Sequence, residues 1–431
     1  MEKLVYDTYV NILKTELTPA MGCTEPIAIA YAAAVARKYL GQLPEKCTAR
    51  CSGNMVKNVK GVTVPASGGK RGIDVAALLG VVGGNADKSL EVLESITDDD
   101  RKLVNELLAK KVCKVELVQG VSNLYVEIEL TAGPHSAVVR IEDYHTNITL
   151  IQKDGETLLE KKKEQVAAEK PDKGLLNVRS ILEFGESVDL NDIRDTLERQ
   201  IRMNSAISME GLRNPYGAEV GRVLLGTRAH QEAPTKLKAK AYAAAGSDAR
   251  MGGCTLPVVI NSGSGNQGIT VTMPVKVYAE AYGVEHDRFL RALAIANLIA
   301  IHQKKYIGNL SAYCGAVSAA CGAGAGITWM LGSTGMVGGS YDEVCNTITT
   351  TITTIGGMVC DGAKSSCAAK IATAVEAALT AYQMSTRSKH FLSGEGLVKD
   401  NVEETIASVG RMGRVGMSST DVEILNIMLE D

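Results

Sequence analysis

Cys23 stands directly before Thr24-Glu25-Pro26. Proline is favoured in the first turn of a helix and threonine at its start, so this segment predicts a helix whose positive end faces the thiol. A thiolate is stabilised there and its pKa falls. Cys23 is therefore a candidate base or nucleophile, against the blander reading of a small buried residue in a tight turn. Cys360 and Cys367 are seven residues apart in MVCDGAKSSCAAK. On one straight helix they would stand roughly 10 Å apart along the axis, long for two ligands of one metal centre. Asp361-Gly362 is a turn signal that can fold Cys360 back, with a helix then starting near Ser365 and Cys367 in its first turn. Cys314 and Cys321, also seven apart, lie in AYCGAVSAACGAGAG. The glycines after Cys321 predict backbone-lined surroundings with room for a bulky group. Spacing alone does not choose between Cys314 and Cys321 as a further ligand, nor between zinc and an iron–sulfur centre.

A second constellation is the run NSGSGNQG at 261–268. A G-x-G-x-x-G string is literally present, but a dinucleotide site needs a second strand ending in an acidic residue, and none is evident downstream. The better reading is an anion nest. In it Asn261, Ser262, Gly263, Gly265 and Asn266 offer amide and hydroxyl donors to a carboxylate. The histidines show no metal-ligand spacing. His135 and His145 fall among the predicted strands, and His230 reads as a surface-loop residue. Lys70 and Lys364 read as anion or structural contacts rather than Schiff-base lysines.

These residues need elements to hold them. Apolar residues at helical spacing predict a helix over 2–17, stopped by Thr18-Pro19, and a second from Pro26 to Gly41. Residues 52–84 read as loop, short helix and loop. An amphipathic helix over 102–111 precedes alternating runs at 113–119, 124–131, 136–142 and 147–153, which predict antiparallel strands. The charged run 160–164 reads as a solvated face or linker, and Lys170-Pro171-Asp172 as a boundary. Beyond 173 the pattern is helical, with glycine-rich breaks at 252–268, 322–326 and 355–362. The predicted fold is α+β: a predominantly helical domain, 1–87 and 173–431, with a small α+β domain carrying an antiparallel sheet inserted at 88–172. Gly22-Cys23-Thr24-Glu25-Pro26 echoes Gly253-Cys254-Thr255-Leu256-Pro257, the mark of a possible internal repeat.

Composition narrows the function classes. The chain of 431 residues has a net charge of −3 and ten cysteines. With no basic stripe carrying interleaved aromatics, nucleic acid is not an expected partner. No apolar run approaches the length of a membrane span, and MEKLVYDTYV does not read as a secretory leader, so none is expected. A cytoplasmic protein is expected, in which cysteines are buried, metal-bound or reactive rather than disulfide-paired. The expected partner is a small metabolite.

The strings MGCTEPIAIA, NSGSGNQGI, GAVSAACGAGAG and CDGAKSSC resemble the L-cysteine desulfidase family and its uncharacterised bacterial relatives. That group is similar to the alpha chain of iron–sulfur L-serine dehydratases. The likeness covers nearly the whole chain and is strongest around Cys23 and over 250–370. It implies a catalytic role for the helical domain and an oxygen-sensitive [4Fe–4S] cluster with three cysteine ligands, one iron being left free as a Lewis acid. It implies no pyridoxal phosphate (PLP). The dehydratases carry one ligand in a Gly-Glu-Val-Gly-x-Ala-Cys string. Residues 315–321 match it with the Glu and second Gly replaced, which selects Cys321, with Cys360 and Cys367 as the other two. Cys23 falls on the family's N-terminal cysteine, a resting ligand of the fourth iron and the base in catalysis. Asn261, Gly263 and Asn266 fall in its substrate-binding loop. The implied reaction is β-elimination from L-cysteine giving sulfide, ammonia and pyruvate, with L-serine deamination second. A non-catalytic iron–sulfur sensor, a PLP-dependent lyase and a structural zinc protein are the competing readings. A homodimer is the base-rate expectation for such an enzyme.

Overall fold

A computed structural model describes residues 1–161, 171–226, 232–308, 310–332 and 338–430. His230, most of the charged run 160–164 and Lys170 lie outside the described residues. The fold is α+β and mostly helical, with one six-stranded mixed sheet and a two-stranded antiparallel pair.

The first part comprises α1 (Lys3–Glu16), β1 (Pro19–Met21), α2 (Thr24–Leu40), β2 (Lys46–Ser52), α3 (Gly53–Lys60), α4 (Ile73–Gly83) and α5 (Asp98–Ala109). Gly41 closes α2 in the left-handed conformation, φ 81°, which glycine adopts without a Cβ penalty. Next come β3 (Cys113–Val118), β4 (Tyr125–Ala132), β5 (His135–Glu142), β6 (Ile148–Lys153) and β7 (Glu156–Glu160).

The sheet order is β3-β2-β4-β5-β6-β7. It departs from the sequence reading in two ways. Its second strand comes from residues 46–52, upstream of the 88–172 segment, so the sheet unit is not one contiguous insertion. The pairing of β2 with β3 is parallel while the remaining pairs are antiparallel. The connection through α3, α4 and α5 is long enough for a crossover, which a parallel pair requires. Alternation then sorts the faces. Cys47, Ala49 and Cys51 of β2, with Val126, Ile128 and Leu130 of β4, are buried on the side covered by α2. On the other face Arg50 bridges Glu127 at 3.0 Å and Glu129 at 2.8 Å, and Arg140 joins Glu127 at 2.7 Å.

The helical part comprises α6 (Val178–Ser187), α7 (Arg194–Arg213), α8 (Val220–Leu225), α9 (Thr235–Met251), β8 (Pro257–Val259), α10 (Gly265–Ala281), α11 (His286–Ile307) and α12 (Gly315–Leu331). It continues with α13 (Tyr341–Ile355), α14 (Cys367–Ser385), α15 (Val402–Arg411) and α16 (Ser418–Leu429). Helix α12 is its axle, buried along nearly its whole length and packed by α10, α11, α13 and α14. Small residues allow this. A Cβ on Gly322 or Gly326 would collide with the Ala296 or Ala292 carbonyl of α11, and one on Gly324 would press on Ala378 of α14. The glycines after Cys321 are thus spent on helix–helix approach and leave no free space for a bulky group.

Strands β1 and β8 pair antiparallel, Met21 opposite Pro257, and tie the segment before Cys23 to the helical part. The two GCT strings occupy different contexts. The first follows β1 and leads into α2; the second follows α9 and leads into β8. What they share is a left-handed glycine, Gly22 at φ 55° and Gly253 at φ 90°. The echo is a common turn and not a structural repeat.

Candidate functional site

Four helix N-termini converge on one cavity of about 100 Å³. Cys23 caps α2, Ser264 caps α10, Cys314 caps α12, and Cys367 is the first residue of α14. All four residues line the cavity. Each N-terminus presents unpaired backbone N–H groups and a partial positive charge, so the site favours an anion.

The thiols arrive there by local geometry. The Tyr313–Val359 bridge holds two chain segments side by side. Cys314 N donates to Met358 O at 3.0 Å and Cys360 N to Ala312 O at 2.6 Å, which brings both cysteines to the same wall. Gly362, at φ 91°, then reverses the chain, and α14 begins at Cys367, whose thiol points at the Gly362 carbonyl, 3.7 Å away. Lys57 anchors this turn from below. It is buried, donates to the Cys360 carbonyl at 3.3 Å and is ion-paired with Asp421 of α16.

Of the cysteines singled out in the sequence, Cys23, Cys360 and Cys367 line the cavity and Cys321 does not. Cys321 sits two turns inside α12, fully buried, with its thiol toward the Ile348 carbonyl at 3.8 Å. Burial there pushes its pKa up to about 12. The cavity position belongs to Cys314, because only the cap and the first residues of α12, Gly315 and Ala316, reach the wall. As the side chains stand, no group of three or more His, Cys, Asp or Glu among the described residues is arranged to hold a metal ion.

Cys23 also departs from expectation. Its thiol donates to Glu25 Oε2 at 3.1 Å. Burial first, and the Glu25 charge second, push its pKa well above the usual thiol value; the helix end does not outweigh them. Glu25 is itself held by Asn58 Nδ2 at 3.1 Å and Thr24 Oγ1 at 3.2 Å, with His145 Nε2 at 3.9 Å. Burial works to raise its pKa, but the His145 and Cys23 contacts and the Arg250 charge more than offset that and leave it at about 2. The proton therefore resides on sulfur.

In the 261–268 loop, Ser262, Gly263 and Asn266 line the cavity, while Asn261 and Gly265 do not. Asn261 is locked behind it, its Nδ2 donating to Asn297 Oδ1 at 2.9 Å. Ser262 (φ 49°) and Gly263 (φ 77°) form the left-handed turn, and the Gly263 carbonyl accepts from Thr24 Oγ1 at 2.9 Å. Gly265 is needed for packing, since a Cβ there would strike Arg250.

Sequence reasoning missed several lining residues: Asn58, His145, Arg250, Gln267, Lys304 and Cys314 as the preferred thiol. Burial lowers the Lys304 pKa to about 8, with the nearby Cys360 and Cys314 thiols working the other way. His145 belongs to the turn between β5 and β6 and reaches across from the sheet unit. It and Gly263 also line an outer cleft of about 370 Å³. No local signal marks His145. For Cys314 a signal existed, since a helix starting at Gly315 leaves Cys321 in its interior.

A family model described as the serine dehydratase alpha chain matches residues 87–426, and the chain belongs to that family. Membership supports a dehydratase-like lyase. The match begins after Cys23 and Glu25, which lie outside it. Full-length likeness extends to proteins called UPF0597. The one from Lachnoclostridium phytofermentans is 48% identical over 99% of this chain and 100% of its own length. That from Treponema denticola is 43% identical over 100% of both, and that from Fusobacterium nucleatum 39% over 97% and 98%. Among the described residues no helix is long and apolar enough to cross a membrane.

Proposed function

We propose that this chain is an iron–sulfur-dependent lyase that eliminates the β-substituent of a small α-amino acid, with L-cysteine as leading substrate. Its products would be sulfide, ammonia and pyruvate. Family membership supports the coarse reading. One observation carries the finer one: Cys23 shares a cavity with three thiols delivered by two chain segments, Cys314 and Cys367 at helix N-termini and Cys360 beside the Tyr313–Val359 bridge.

The donor set suits a [4Fe–4S] cluster. Three thiols, two helix N-termini and the buried Lys304 offer ligands and compensation for an anionic centre. Cys314, Cys360 and Cys367 would hold it. Bound there, it would supply Lewis-acid polarisation of the substrate's β-substituent.

The protein's own groups do the rest. The turn at Ser262–Gly263 and the first amides of α10 receive the substrate carboxylate. Cys23 is the candidate acceptor of the α-proton, and to accept it must first pass its own proton to Glu25 Oε2, 3.1 Å away. Asn58 and Thr24 fix that carboxylate for the transfer. Burial of the Cys23 and Glu25 side chains limits competition from bulk water for the proton. The released aminoacrylate hydrolyses to pyruvate and ammonia. The family's own description favours L-serine as a second substrate, handled by the same groups.

The test is an oxygen-free preparation analysed for iron and acid-labile sulfide, then assayed for pyruvate with L-cysteine and with L-serine. A preparation lacking iron, or one with a full cluster and no product from either amino acid, overturns the proposal.

A further inference from the structure

We propose that Arg250 is the carboxylate anchor of this cavity and restricts it to α-amino acids. The inference deepens the lyase reading and rests on it for the chemistry; the recognition stands on separate observations. Arg250 is 2% exposed, among the largest fully buried side chains. It lies in the last turn of α9, whose inner face is otherwise built of small residues. Its Nε donates to the Gly22 carbonyl at 2.7 Å. Its Nη2 is buried without a hydrogen-bond partner among the described residues, and Arg250 lines the cavity. A buried guanidinium group with an unmatched donor is costly, and a planar fork with one edge fixed is pre-set for a carboxylate.

The surroundings agree. Glu25, the carboxylate among the described lining residues, is committed to Cys23, Asn58 and Thr24. It therefore leaves the Nη2 edge to a ligand. Gly265 supplies the room, because any side chain there would overlap the guanidinium group. The Asn266 Oδ1 and Gln267 Oε1 atoms of the lining are likewise buried without a hydrogen-bond partner among the described residues. They offer acceptors to an ammonium group. A guanidinium donor and two amide acceptors on the lining of one cavity complement a zwitterion. An amine without a carboxylate, or an acid without an amine, leaves one side unmatched and is rejected on that account.

The test uses anaerobically prepared full-length protein, titrated calorimetrically with L-serine, ethanolamine and lactate, beside the variants Arg250→Met and Arg250→Lys. L-serine is expected to bind at least roughly tenfold more tightly than ethanolamine or lactate. R250M should lose roughly 10- to 100-fold in L-serine affinity, the scale of a charge-assisted hydrogen bond, and leave ethanolamine unchanged. R250K should fall between. Equal binding of L-serine and ethanolamine to the unaltered protein overturns the anchor, as does wild-type L-serine affinity in either variant, or no L-serine binding at all. Should R250M fail to fold, the ligand comparison on the unaltered protein decides. The two proposals fail separately. L-serine binding through Arg250 without pyruvate from any amino acid removes the lyase and keeps the anchor. Turnover with unchanged KM in R250K removes the anchor and keeps the lyase.

Discussion

Two pairs of cysteines share a spacing of seven and meet different ends. Between Cys360 and Cys367 the chain turns back at the left-handed Gly362, and both thiols reach the cavity. Between Cys314 and Cys321 it runs straight as α12, so that only the cap residue arrives and the other is sealed against α13. The lesson is that a thiol's chemistry here follows from its place relative to a helix N-terminus. At the cap it lines the cavity; two turns in, it is packed among neighbouring helices, and burial pushes both thiols up to about 12.

The comparison can be broken most directly at the cysteines. On the proposed cluster reading, Cys314→Ser should abolish iron binding and lower activity by at least ~100-fold, more than an outer-shell change costs. Cys321→Ala should keep the iron and cost about 1 kcal/mol of stability, the scale of a small core deletion. Iron content and denaturation midpoints read both, and iron loss in C321A alone would reverse the assignment. Gly362→Ala attacks the turn. It forces φ 91° on a residue with a Cβ and drives that Cβ onto the Lys57 carbonyl. It should cost roughly 1–3 kcal/mol and reduce iron occupancy. Gly322→Ala attacks the straight pair instead, by pressing on the Ala296 carbonyl. A loss of roughly 1–3 kcal/mol with undiminished iron per folded molecule is expected.

Smaller effects test the neighbours. His145→Gln removes the sheet unit's contact to Glu25 and should slow turnover roughly fivefold, what ~1 kcal/mol of weak ion pairing is worth. Steady-state kinetics at constant iron content would read it. Asp248 does not line the cavity and serves as a control. Burial lifts its carboxyl to about 6, although backbone N–H groups of Gly221 and Val220 pull it down. With the folded pKa above the unfolded 3.8, its contribution is complete below 3.8 and is lost as pH rises through about 6. Asp248→Asn should flatten the thermal midpoint over that window and leave iron unchanged.

Much was legible locally. Pro26 in the first turn of α2, Gly41 past its end, the turn at Asp361-Gly362 and four of the sheet's strands follow from signals spanning a few residues. So does the loop that puts Ser262, Gly263 and Asn266 on the cavity wall. Strand β2 was also within reach, since Cys47, Ala49 and Cys51 alternate with Thr48 and Arg50. It was hidden by its distance in sequence from the other strands. His145, Asn58 and Arg250 gave no sign, because each is brought in by a different element.

Where helices begin, where the chain must turn, and the gathering of thiols and glycine amides in the second half can all be read from the residues in order. Those follow from caps, periodicity and backbone freedom, all short-range properties. Packing settled the rest: Cys314 and not Cys321 lines the cavity, the Cys23 proton is held against Glu25, and Arg250 Nη2 has no partner among the described residues. Such facts depend on which surfaces exclude water and which charges become neighbours, and both are set by packing between residues far apart in the chain.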